Sequence, residues 1–188
     1  MDNATGILRK EHDAILKMLE VTEAVAKRLD SGAGVPPATL GQLQEFFRVF
    51  ADTCHHGKEE DLLFPALEKK GMPRGGGPIG VMLVEHDQGR SLIKQMVEAA
   101  DAYQQNAKDA AIRWSKAARG YAELLRNHIA KENDVLFVMA ERMLSRQDQE
   151  RLAEEFEKVE VEKLGEGTHE RLHGMIGEMV REFLNPKA

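Results

Sequence analysis

Cysteine is nearly absent from these 188 residues. Cys54 stands alone, so no disulfide can close within the chain, and a reducing cytoplasm is the expected compartment. Basic residues are not in excess either: the formal net charge is −6 and the pI about 5.7, which argues against a nucleic-acid footprint. No apolar run approaches the roughly 18 residues that a membrane span needs, so no membrane association is expected. Met1-Asp2-Asn3-Ala4-Thr5 lacks the charged and apolar regions of a secretory signal, and Asn185-Pro186-Lys187-Ala188 shows no retention or lipidation signal. Prolines number only six, and sustained apolar–polar alternation is missing, which removes strand-rich folds. With 42% hydrophobic residues, disorder is not expected either.

What remains is helical periodicity. A first helix is expected from Thr5, as N-cap, to about Asp30, with Leu8, His12, Ile15, Leu16, Leu19, Val25 and Leu29 on one face. Pro36-Pro37 opens a second, reaching about Lys70. Gly71 to Pro78 is read as a connection and not a phosphate loop, because no Gly-Lys-Ser/Thr follows and no strand precedes it. Helices three and four are expected over about 79–105 and 108–144. The fourth turns Trp114, Ala117, Tyr121, Leu124, Leu125, His128, Glu132, Val135, Leu136 and Met139 inward. Ser145 and Thr168 are read as caps of two further amphipathic segments. The pattern predicts an all-α fold: an antiparallel up-down four-helix bundle over 1–144, with a helical extension over 145–188 packed on it.

One stretch organises the rest. His55-His56-Gly57-Lys58-Glu59-Glu60-Asp61-Leu62-Leu63-Phe64 recurs 73 positions later as His128-Ile129-Ala130-Lys131-Glu132-Asn133-Asp134-Val135-Leu136-Phe137. In each copy a His precedes a Glu by four residues, so both side chains share one helix face and can grip a metal ion. Glu11-His12-Asp13 likewise recurs 74 positions on as Glu85-His86-Asp87. The chain is thus a duplicated helical hairpin with half a site per copy. In the second helix the row Phe47, Ala51, His55, Glu59, Leu62 is apolar, whereas the row through His56 is mostly polar, so His55 and Glu59 are expected inward. His12, His55, Glu59, His86, His128 and Glu132 should therefore converge in an apolar core. Two divalent cations would satisfy them, with the Glu carboxylates bridging and an oxo or hydroxo group completing the bridge. Nitrogen and oxygen donors without thiolate suit iron or manganese better than a structural zinc.

This constellation resembles the hemerythrin family in its HHE cation-binding branch, over roughly residues 5–141. The resemblance implies two non-haem iron ions with a bridging oxo or hydroxo group, and chemistry with O2, H2O2 or NO supported by an unidentified reductant. The protein would be a binder or detoxifying redox protein, or else an iron- or oxygen-responsive sensor that engages a partner without turnover. Oxygen-carrying members take two histidines from the third helix, but here Arg90 stands four after His86. His56 is then a candidate fifth histidine, against the reading of a surface residue beside Asp52 and Glu60. His169 is a further candidate, at the open end of the bundle, against an exposed helix-start histidine. Glu166-x-x-His169 and Glu170-x-x-His173 share one late segment, unlike the opposed helices of ferritin-like sites. Tyr121, two turns before His128, is a candidate donor to a bound oxygen species or a bridging Glu, against a plain core tyrosine. Asp13 and Asp87 are read as helix-start charges or as acceptors orienting an imidazole. Cys54 is read as a buried inert thiol. The state is expected to be monomer or dimer.

Overall fold

A computed structural model describes residues 3–165 and 167–185, without the side chains of Leu164 and His169. It contains six helices and, among the described residues, no strand. Helix α1 is Ala4–Asp30. Helix α2 covers 37–69 and α4 covers 110–143, each with internal π-helical turns. Helix α3 is Gly77–Gln104, α5 covers 146–164, and α6 is Thr168–Phe183. Short links join α1 to α4 into the expected antiparallel bundle, and both C-terminal helices lie against α1.

The helix ends follow from local chemistry. Asn3, not Thr5, caps α1: its side chain accepts from the Gly6 amide at 2.8 Å. Thr5 is buried and donates to Glu141 Oε1 at 3.1 Å. Pro37 opens α2, where a missing N–H is harmless. Gly76 and Gly77 enter α3 at φ 73° and 66°, a region that side chains avoid. Ser145 forms a reciprocal capping box with Asp148 at the start of α5. Gly167 holds the cap position of α6, and Thr168 is its first residue.

Two apolar clusters fill the interior. One gathers Ile15, Leu19, Phe46, Phe47, Phe50, Met96, Trp114 and Tyr121, and takes in Leu172, Met175 and Met179 of α6. The other gathers Leu8, Leu63, Phe64, Ile79, Met82, Leu136 and Phe137 with Leu152 and Phe156 of α5. On every bundle helix the His and Glu residues fall at the change from one cluster to the other. Leu8 and Ile15 flank His12, Ala51 and Leu63 flank His55 and Glu59, Met82 and Ile93 flank His86, and Leu125 and Leu136 flank His128 and Glu132. A polar layer is thus enclosed between two dry ones.

Val135 departs from expectation. It is 47% exposed because Glu132–Leu136 is a π-helical turn, which breaks the α-helical register just past Glu132.

Candidate metal centre

Both copies of the motif carry a π-helical turn that begins at the glutamate, Glu59–Leu63 in α2 and Glu132–Leu136 in α4. A second, longer π-helical stretch, Phe47–His56, runs into the start of the first copy. In such turns the i→i+5 bonding packs more residues per turn. Adjacent side chains are then closer in angle than the roughly 100° of an α-helix. His55 and His56 both end up buried, at 1% and 3% exposure. An ideal α-helical wheel places His56 on the wet face, and that is why its row read as polar.

Two groups of donor atoms result, and they share Glu59. His56, Glu59, His86 and His128 form one, and His12, His55, Glu59 and Glu132 the other. The two carboxylates each reach across. Glu59 Oε1 lies 3.7 Å from His55 Nε2 and its Oε2 lies 3.5 Å from His86 Nε2. Glu132 Oε2 lies 3.1 Å from His12 Nε2 and its Oε1 lies 3.2 Å from His128 Nε2. His86 and His128 bring their Nε2 atoms within 3.1 Å of each other, and the His56 ring stacks on His86 at 3.9 Å.

Every imidazole turns its other nitrogen outward to an acceptor. Nδ1 of His55 meets Glu11 at 2.7 Å, His86 meets Glu60 at 2.6 Å, and His128 meets Glu85 at 2.9 Å. His12 meets the Asn133 amide oxygen at 3.0 Å, and His56 faces Asp52 at 3.4 Å. Such contacts fix the tautomer that donates from Nδ1 and leaves the Nε2 lone pair facing inward. The duplication extends to this outer layer: Glu11 and Glu85 are equivalent, as are Lys58 and Lys131, which bond to them. Phe64 and Phe137, also equivalent, lay their rings on His86 and His12 at 6.1 and 5.3 Å.

The electrostatics suit ligands. Burial, against the pull of Glu11, pushes His55 down to about 4. Burial and then the neighbouring His86 push His56 far below its ordinary range. Both imidazoles are therefore neutral, the form that ligates. Burial and the charge of Glu132 raise Glu59 well above the carboxylate range. Burial would raise Glu132 too, but His128 and His12 outweigh it and hold it low. His128 is raised because Glu132 and Glu85 overcome its burial. For Glu11, burial is overcome by His55 and Lys58, and the acid is held low.

Seven buried inward atoms lack any hydrogen-bond partner: Nε2 of His12, His55 and His56, and both oxygens of Glu59 and of Glu132. The short His12–Glu132 and His128–Glu132 separations are close in distance but misaligned for hydrogen bonds. At about 1–3 kcal/mol for each unpaired buried group, the cost is on the order of 10 kcal/mol. That is comparable to the whole stability of a typical domain. Cations between these atoms would remove it, so the residues fit a metal.

A family model of the hemerythrin HHE cation-binding domain matches residues 3–140. The chain belongs to that family. It is a hemerythrin-like, metal-binding protein, and its His/Glu layer supplies two groups of buried donors that could hold a metal ion. It is 27% identical over 162 residues to an uncharacterized protein, Rv1995, of Mycobacterium tuberculosis, covering 85% of this chain and 62% of that one. It is 33% identical over 139 residues to the iron-sulfur cluster repair protein YtfE of Cronobacter sakazakii, covering 71% and 62%. To YtfE of Enterobacter sp. it is 37% identical over 89 residues, covering 46% and 40%. The chain thus spans less than two thirds of the length of these relatives. No solved structure matches. Among the described residues no helix is long and apolar enough to cross a membrane.

The remaining candidates fall as follows. The His169 side chain and Glu166 lie outside the described residues. His173 sits edge-on to Phe50 at 5.9 Å, beside a cavity of about 270 Å³ that Glu11 and Glu160 also line. It belongs to neither donor group. Tyr121 is fully buried against Phe47, and its hydroxyl finds no hydrogen-bond partner in the protein. Burial holds that hydroxyl protonated, with Asp52 adding to the effect. Burial pushes the Cys54 thiol up to about 12, so the group is unreactive.

Asp13 is exposed and Asp87 pairs with Arg90 at 3.1 Å, so neither orients an imidazole. That task falls to the preceding residues, Glu11 and Glu85, each acting on a histidine of another helix. Their recurrence before both His residues was the available signal. Glu60, Asn133 and Lys58 gave none that one helix alone would reveal.

Proposed function

We propose that this chain holds two non-haem iron ions and binds or reacts with O2, peroxide or nitric oxide. Glu59 and Glu132, each close to histidines of both donor groups, would be shared between the two ions. His56, His86 and His128 would hold one ion and His12 and His55 the other. The carrying observation is the set of seven buried, unpartnered donor atoms that α1, α2 and α4 turn toward one another, beside His86 of α3 and His128. When bound, the ions supply the redox chemistry, donating electrons to a small oxidant. Burial keeps His55 and His56 neutral, and Glu11, Asp52, Glu60, Glu85 and Asn133 aim the imidazoles. Phe64, Phe137 and the two apolar clusters keep bulk water out. Tyr121, buried with a spare O–H, is the proposed donor to a bound small molecule. The relatives named for iron-sulfur cluster repair add weight to iron over manganese.

A second reading is a sensor, in which the state of the centre is passed to the C-terminal helices. It rests on Lys58, which bonds at once to Glu11, behind His55, and to Glu160 of α5. Metal analysis of the purified protein should give two irons per chain. Its spectrum should change when the reduced protein meets air or nitric oxide. One ion per chain, or an unchanged spectrum, would defeat the first reading. Oxygen evolution from peroxide no faster than with free iron would favour the sensor.

A further inference from the structure

The duplication relates the two faces of the bundle residue by residue, and the chain covers only one of them. On the α1–α2 face, α5 sets Leu152 and Phe156 into the cluster on which Ile7 and Leu62 pack. Its Glu160 bonds to Lys58, and the Phe156 ring lies 5.9 Å from the Lys58 ammonium. An offset of 74 carries Ile7 to Val81 and Glu11 to Glu85, and one of 73 carries Lys58 to Lys131 and Leu62 to Val135. The α3–α4 face therefore repeats the aliphatic pair and the Lys–Glu pair that α5 sits upon. Nothing in the described chain sits there. Val81 is 44% and Val135 47% exposed, and Val84, where the covered face has Lys10, is 56% exposed. Lys58 has two carboxylates and is enclosed, whereas Lys131 bonds among the described residues only to Glu85 and is 41% exposed.

We propose that the α3–α4 face is a docking surface for one amphipathic helix of a partner protein. That helix would lay an aliphatic or aromatic row over Val81, Val84 and Val135 and bring a carboxylate to Lys131. The chemistry matches across the duplication: the covered face shows what such a surface accepts, an apolar row plus a glutamate at the lysine. The open face is more apolar, with Val84 in place of a lysine, and its lysine lacks the second acid. The proposal does not depend on which metal is bound or on what the centre reacts with.

The probe is this chain's own α5 sequence, residues 146–164, made as a fluorescent peptide held helical by a solvent-side lactam. The full-length protein is titrated into it and anisotropy is read. Saturable binding should weaken about tenfold with Val84→Glu and with Lys131→Glu, through an unpaired buried charge and a lost ion pair respectively. Both positions are half-exposed, and a thermal melt of each variant checks folding. Absence of saturable binding to the wild-type chain would overturn the proposal. So would binding indifferent to Val84→Glu, since the peptide would then be displacing the native α5. A concentration-dependent dimer abolished by Val84→Glu would assign the face to a second copy instead.

Discussion

Lys58 and Lys131 occupy equivalent places in the two copies of the motif, yet one is wholly enclosed and the other stands 41% exposed. Each bonds to the glutamate that orients a neighbouring histidine, Glu11 for His55 and Glu85 for His128. The difference comes from α5, whose Glu160 closes over Lys58 alone. A second inequality lies deeper. His56 and Asp52 on α2 correspond to Ile129 and Leu125 on α4, and Arg90 on α3 corresponds to Leu16 on α1. Arg90 ties Asp52 and Glu60 together at 2.9 and 2.7 Å, behind His56 and His86. A duplicated scaffold thus becomes two unequal donor groups by a few substitutions on one side. Polar residues cluster behind the three-histidine group and a helix seals the two-histidine group.

The largest effect should erase the comparison. Glu59→Ala or Glu132→Ala removes a carboxylate that touches histidines of both groups, so either change should empty both positions at once. Metal analysis checks this, and Glu59→Ala retaining two ions would disprove the bridging assignment. Chelation of the wild-type protein should also lower its melting temperature, because a ligand bound only to the folded state stabilises it.

Next, Lys58→Ala should destabilise by about 3 kcal/mol, since it leaves Glu11 buried with its charge uncompensated. Lys131→Ala should cost only about 0–1 kcal/mol, because water reaches that site. Urea unfolding of the two variants measures the difference, and equal losses would mean that α5 contributes no seal.

Smaller again is the outer layer. Glu11→Gln and Glu85→Gln each keep shape but weaken the hold on one imidazole, which typically lowers metal affinity about 10- to 100-fold. Competition with a chromogenic chelator should show the two variants losing affinity while still binding metal when it is in excess. Should the losses match, the sealed and open halves are equivalent in ligand orientation and differ only in stability.

Much of this was legible in the sequence. The bundle follows from apolar rows at helical spacing, and the duplicated His-x-x-x-Glu and Glu-His-Asp together placed six inward residues by repetition. Three things were not legible, for one physical reason each. His56 was left between a ligand and a surface residue, and Val135 was misplaced, because π-helical turns at Phe47–His56 and Glu132–Leu136 break the α-helical register that a wheel assumes. The roles of Glu11 and Glu85 were missed because each serves a histidine on another helix, a tertiary fact. Thr5 was read as the cap because its hydroxyl suits one, but Asn3 does so with better reach while Thr5 packs inside.

The smallest effect tests the late helices. His173 borders the cavity that reaches Glu11, on the sealed side of the centre, but its ring meets Phe50 and it joins neither donor group. His173→Ala should therefore leave two ions per chain and leave affinity within about twofold, well short of the change at Glu11. A loss of one ion would bring α6 into the coordination of the two-histidine position. The C-terminal extension would then complete the site as well as cover it, and the inequality between the halves would be one of ligands.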